Sequence, residues 1–153
     1  MATVYSAQRT NTRATPAVMN KANEMGGRVR VAHGTYEASA LASGDVIEMF
    51  TLPDGARLLE GSLAYDGLGA STTLSVGHAA YNNADGTAVS AAAAAYKAAA
   101  STATAGKVDI LATLALGSGS ELDADEDGVI VTATMGGAAG TGTIECTIKY
   151  VVD

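Results

Sequence analysis

At 153 residues the chain is long enough for one domain with a substantial hydrophobic core. Charged residues make up 16 % of it, where soluble domains carry ~25 %; Ala, Gly, Thr and Ser take their place, which suits a surface packed against partners. No run approaches ~18 consecutive apolar residues, so no membrane span is expected, the opening MATVYSAQRTNTR has no apolar core of a secretory signal, and a single cysteine, Cys146, excludes an internal disulfide.

Residues 1–27 read as an extended arm. They lack a sustained period and are rich in Thr, Asn, Ala and Arg, with a short helical turn expected after Pro16, over Ala17 to Met25, closed by Gly26-Gly27. Charge sets this arm apart. Residues 1–30 hold Arg9, Arg13, Lys21, Arg28 and Arg30 against Glu24, a net of +4. Residues 31–153 hold four basic and fifteen acidic groups, a net of −11. A basic arm on an acidic body is placed to dock on the body of a neighbouring copy. Tyr5, Arg9, Arg13, Val18, Met19 and Lys21 are the candidate contact residues, the apolar ones as anchors, because exposed ion pairs contribute only ~0–1 kcal/mol each. Nucleic acid is not the expected partner: the cations are spread out, Tyr5 is the arm's one aromatic, and the acidic body repels phosphate.

Residues 28–153 read as an antiparallel β-sandwich, jelly-roll-like, of about seven or eight strands. Arg28 to Tyr36 is the first, with Val29 and Val31 on one face. Val46 to Leu52 is the second, stopped by Pro53-Asp54-Gly55, where Pro presets φ and Gly accepts a positive one. Arg57 to Asp66 follows, with Leu59, Leu63 and Tyr65 on one face, then Ser71 to His78, with Leu74 and Val76 inward. Residues 86–106 break the pattern. AVSAAAAAYKAAAS has the highest helix propensity in the chain and reads as a short Ala-rich helix or loop. Val108 to Leu116 is a fifth strand by alternation, and Gly128 to Met135 and Thr143 to Val152 complete the set. In the last, Ile144, Cys146, Ile148, Tyr150 and Val152 alternate with Thr143, Glu145, Thr147 and Lys149, the period of a strand with one face buried.

Reactive chemistry is sparse. His33 and His78 lie far apart and, with one cysteine, make no zinc set. There is no G-x-S-x-G elbow, and GSGSEL at 117–122 lacks the Lys-Ser/Thr ending of a phosphate loop. Asp123, Asp125 and Asp127 with Gly128 have the spacing of a calcium loop, but the twelfth position is Thr134 and a strand follows. An acidic solvated turn is the reading; those three aspartates are the residues that would hold a metal. No catalytic residue, cofactor or enzyme activity is expected.

Three segments carry a resemblance. TVYSAQRT near the start, GGRVRVAHGTYEASALASGDVIEMFTLPDGARLLEGSLAYDGLGASTTLSVG in the middle and GGAAGTGTIECTIKYVVD at the end resemble the head decoration, or cement, proteins of tailed bacteriophages. That resemblance implies a β-sandwich that assembles as a homo-oligomer, commonly a trimer, and binds the major capsid protein on the outer surface of the virion. A neck, tail or fibre component of the same particle is the second expectation. A calcium- or carbohydrate-dependent adhesion module is the third, disfavoured by the absence of Trp and the single Phe.

Overall fold

The computed structural model describes residues 3–152. Among them are ten strands in three sheets. One four-stranded sheet holds β1 (Val29–Leu41), β10 (Gly140–Val151), β3 (Arg57–Tyr65) and β8 (Gly106–Ile110), in that order. The facing sheet holds β2 (Val46–Leu52), β9 (Val129–Gly137), β4 (Thr72–His78) and β7 (Ala92–Ser101). A small hairpin, β5 (Tyr81–Asn82) with β6 (Ala88–Val89), links β4 to β7. All the pairings are antiparallel, and successive long strands alternate between the two sheets except β4 and β7, which pair within the second. That is jelly-roll connectivity, which the period-two patterning predicts in class but not in strand order.

The core lies between the sheets. Leu58, Leu63, Ile110, Ile144, Cys146 and Ile148 point in from the first; Ile47, Leu52, Leu74, Val76, Val129, Val131 and Met135 meet them from the second. The alternation read in the last strand is met by Ile144, Cys146 and Ile148, while Tyr150 is only half-buried at the margin. Burial pushes the Cys146 thiol up to about 12, leaving it a small inert hydrophobe.

Four local expectations are corrected. The Ala-rich segment is neither helix nor loop: Ala92–Ser101 is strand β7. Alanine's helix preference is small per residue, and a helix here would leave the backbone of β4 without a partner on that edge. Pairing from Thr73↔Ser101 to His78↔Ala92 supplies it, with bulges on either side of Val76↔Lys97, and Tyr96 anchors the strand in the core. Second, the arm's helix is α1 (Ala7–Arg13), before Pro16 rather than after it. Ser6 caps it, its Oγ accepting from the Arg9 N–H at 3.3 Å. Third, the shared face read for β3 is broken, while the face read for β1 is the solvent one. Val29 and Val31 face solvent, and Ala32 and Ala38 face inward. In β3 a bulge opposite Lys149 and Tyr150 inserts Leu59 as an extra residue, so Leu58 takes the core and Leu59 turns out. Fourth, β8 stops at Ile110. Leu111 leaves the sheet and donates its N–H to the Tyr96 carbonyl at 3.0 Å, and Leu114–Leu116 forms a 3-10 turn.

Two glycines are required, one by a positive φ and one by a close approach. Gly55, at φ +68°, closes the turn between β2 and β3. Gly77 stands where the Ala92–Ala93 backbone passes over the sheet: a Cβ there would overlap the Ala92 carbonyl. The chain passes this close to β4 because Gly77, Ala92 and Ala93 present almost no side chain at the crossing.

Candidate interaction surfaces

The arm is anchored at its root and uncovered at its tip. At the root, Lys21 Nζ lies 2.7 Å from Glu121 Oε1, and Arg57 Nη2 lies 2.8 Å from Glu121 Oε2 and 3.4 Å from Glu24 Oε1. Arg57 Nη1 also donates to the Gly119 carbonyl at 2.7 Å, and Asn23 Nδ2 to the Gly55 carbonyl at 3.2 Å. The Lys21 ammonium, hydrogen-bonded to Glu121, holds that carboxyl below its ordinary range, with Asn23 and Arg57 assisting. Two acids and two bases in one partly shielded network hold better than isolated surface pairs, since Arg57 and Glu121 at its centre are each fixed by more than one partner. Lys21, a candidate contact to another molecule in the sequence, is therefore engaged by its own body.

Beyond the root the chain folds back as a hook. Asn20 ties it together: its Oδ1 accepts from Asn11 Nδ2 at 3.0 Å and its Nδ2 donates to the Gln8 carbonyl at 3.3 Å. The Val18 N–H adds a bond to the Asn11 carbonyl at 3.1 Å. Arg13 sets its guanidinium 4.8 Å above the Tyr5 ring, a cation–π contact. Yet α1 buries none of its residues. Val4, Tyr5, Val18 and Met19 are all exposed, Met19 at 93 %. Arg9 and Arg13 take part in no ion pair among the described residues. A seven-residue helix with no packed face is marginal by itself, so the hook is the part of the molecule most in want of a second surface.

The aspartate turn is spent on the backbone. Asp123 Oδ1 accepts from the Ala84 N–H at 3.2 Å, and Asp125 Oδ1 from the Asp127 N–H at 3.1 Å. The turn is further tied down by Asp125 N–H to the Asn82 carbonyl and by Asp54 Oδ1, which accepts from the Ala124 N–H at 3.0 Å. Among the described residues no three His, Cys, Asp or Glu side chains gather closely enough to share a cation. The histidines sit apart: His33 bridges Thr147 and Thr35 on the outer face of the first sheet, and His78 packs edge-on to Tyr81 at 5.2 Å. On that outer face Lys149 and Glu60 pair at 2.6 Å and Thr143 donates to Glu37 at 2.8 Å, beside the exposed Val29 and Val31.

Sequence reasoning missed Glu24, Arg57 and Glu121 as the arm's root. The pairings join residues scattered along the chain, and no local pattern marks them; the signal available was the isolated acid in a basic arm, Glu24.

No protein-family model matches the sequence, and no curated protein matches it. Solved structures do. A chain of the capsid asymmetric unit of cyanophage Pam1 superposes with a TM-score of 0.64 at 22 % identity, over 100 % of both chains. A chain of the capsid of Ralstonia phage GP4 matches at a TM-score of 0.61 and 26 % identity, over 83 % of this chain and 86 % of that one. The jelly roll is thus one that chains in the capsids of two phages also use.

Proposed function

We propose that this chain is a structural protein of a tailed-phage virion, bound to the outside of the shell as a decoration, or cement, protein. Its partners are the major capsid protein and further copies of itself, arranged as a trimer. One observation carries the reading: the likeness to a chain of the Ralstonia phage GP4 capsid extends over most of both chains, in sequence as well as in fold. The anchored root and uncovered hook fit such work. A decoration protein needs no reaction; it needs modest contacts repeated by symmetry, so that many weak attachments hold together what one would not.

Imaging the particle that carries this chain tests the proposal. Hundreds of copies on the outer shell surface are the expected result, with loss of the chain lowering the temperature at which the shell opens. About a dozen copies or fewer, gathered at a neck or tail, would replace the cement reading with the component reading.

A further inference from the structure

The outer face of the second sheet is furrowed. Where the chain from β4 to β7 arches over Gly77, it stands away from β2 and leaves an open trough of about 190 Å³. Val46 and Glu48 form one wall, Ala79, Ala91 and Ala93 the other, and Thr134 lies in the floor. Val46 is 58 % exposed, an apolar side chain with nothing over it. Thr134 Oγ1 is buried without a hydrogen-bond partner among the described residues. Glu48 is exposed and takes part in no ion pair among them. A cavity of about 150 Å³ accepts a benzene ring, so the trough has room for one aromatic side chain.

The hook has the complementary features. Residues 3–20 carry Arg9 and Arg13 and no acid. Tyr5 presents a half-exposed ring with the Arg13 guanidinium over it, an apolar group and a cation in one place. No residue of the hook lines the trough of its own chain. Its root is pinned to Arg57 at the start of β3, in the first sheet, whereas the trough opens on the outer face of the second.

We propose that the hook of one copy docks in the trough of a second copy. Tyr5 fills the space between Val46 and the alanine wall, Arg13 faces Glu48, and a polar group of the hook satisfies Thr134 Oγ1. The contact joins two different surfaces, so it is heterologous: it repeats around an axis and closes into a ring when the rotation allows, a trimer being one such ring. The inference rests on reading the chain as an assembly protein and names the seat of its arm.

Two variants of the full chain, Tyr5→Cys and Val46→Cys, test it. Cys146 is buried and stays out of the reaction. Under mild oxidation an equal mixture should give a covalent dimer that neither variant gives alone. Independently, Arg13→Glu or Glu48→Arg should raise the dissociation constant of the oligomer by about tenfold or more, and the double reversal should recover most of it. Absence of the mixed dimer from variants that keep the parental melting temperature overturns the proposal. So does a bond formed within a single chain carrying both cysteines at high dilution, or one formed between the mixed variants only after capsids are added. Shell occupancy, read by imaging, is a separate measurement. A mixed dimer without occupancy would retire the virion reading and leave the docking intact; occupancy without the dimer would do the reverse.

Discussion

Replacing Ile148 by Ala should be among the most damaging single changes in the body. Ile148 is 0 % exposed and sits in β10, between β1 and β3. Its cross-strand neighbours are Ala32 and Gly61, both small, so the isoleucine fills space that neither can close. Truncation removes three carbons, about 2.4 kcal/mol at ~0.8 kcal/mol per buried methylene. The void adds to this. If ~50–80 Å³ of it persists, at ~24 cal/mol per Å³, the further loss is about 1–2 kcal/mol. The total is roughly 3.5–4.5 kcal/mol, which for a domain of this size lowers the melting temperature by something near 10 °C. Urea denaturation followed by circular dichroism measures it, with the midpoint falling and the slope unchanged. Val31→Ala, on the outer face of the same sheet, is the control and should cost within about 0.5 kcal/mol. A loss below ~1 kcal/mol for Ile148→Ala, or equal losses for the two, would refute the assignment of faces and the packing argument with it.

Gly77→Ala should push the Ala92 carbonyl off the sheet, costing ~1–3 kcal/mol as overpacking does; faster amide exchange concentrated in Ala92–Lys97 is the signature, and uniform loss across the body would count against it. Glu121 stays ionised below the ordinary carboxylate range because of Lys21, so its pairing supports the arm root above that range and is lost as pH falls through the lowered value. Carbon-13 titration of the Glu121 carboxylate should show the depressed midpoint, and Lys21→Ala should raise it; a midpoint indifferent to Lys21 would mean that the pair does not form in solution. Deleting residues 2–25 should leave the melting transition of the body almost in place while weakening assembly, whereas a truncated chain that fails to fold would make the arm part of the core. Millimolar EDTA should not move the melting temperature; a drop of several degrees restored by calcium would make Asp123, Asp125 and Asp127 ligands after all.

What could be read in advance follows the range of the interaction. Ile144, Cys146 and Ile148 declare their face because alternation is written in adjacent residues, and the turn at Pro53-Asp54-Gly55 bounds two strands for reasons contained in three side chains. Leu59 misleads because a bulge is decided by the partner strand, not by its own neighbours. Ala92–Ser101 misleads because local preference says helix while the open edge of β4 rewards a strand. The arm's basic character is plain in composition. Its root is not, since Lys21 meets Glu121 only after the jelly roll has closed. The furrow escapes notice altogether: it exists where Gly77 lets a strand cross a sheet, which is a fact of three dimensions.

The order of the strands also sets how this protein comes into being. Within the two large sheets no strand pairs with the one before or after it in the sandwich except β4 with β7, across the small hairpin. Val29 must find Val151, well over a hundred residues away. Closing such a loop costs about 2 kcal/mol more in chain entropy than closing one of ten residues. Refolding should therefore be slow for the chain's size, in the range of milliseconds to seconds seen for domains dominated by distant pairings. The β4–β7 unit is the natural nucleus, because it alone brings two long strands together cheaply. Once β10 slots between β1 and β3, the two ends of the body are held by the same sheet. Unravelling from the C-terminal end then pulls β10 out of the interior of that sheet and frees β1 with it, so partial opening from that end is suppressed.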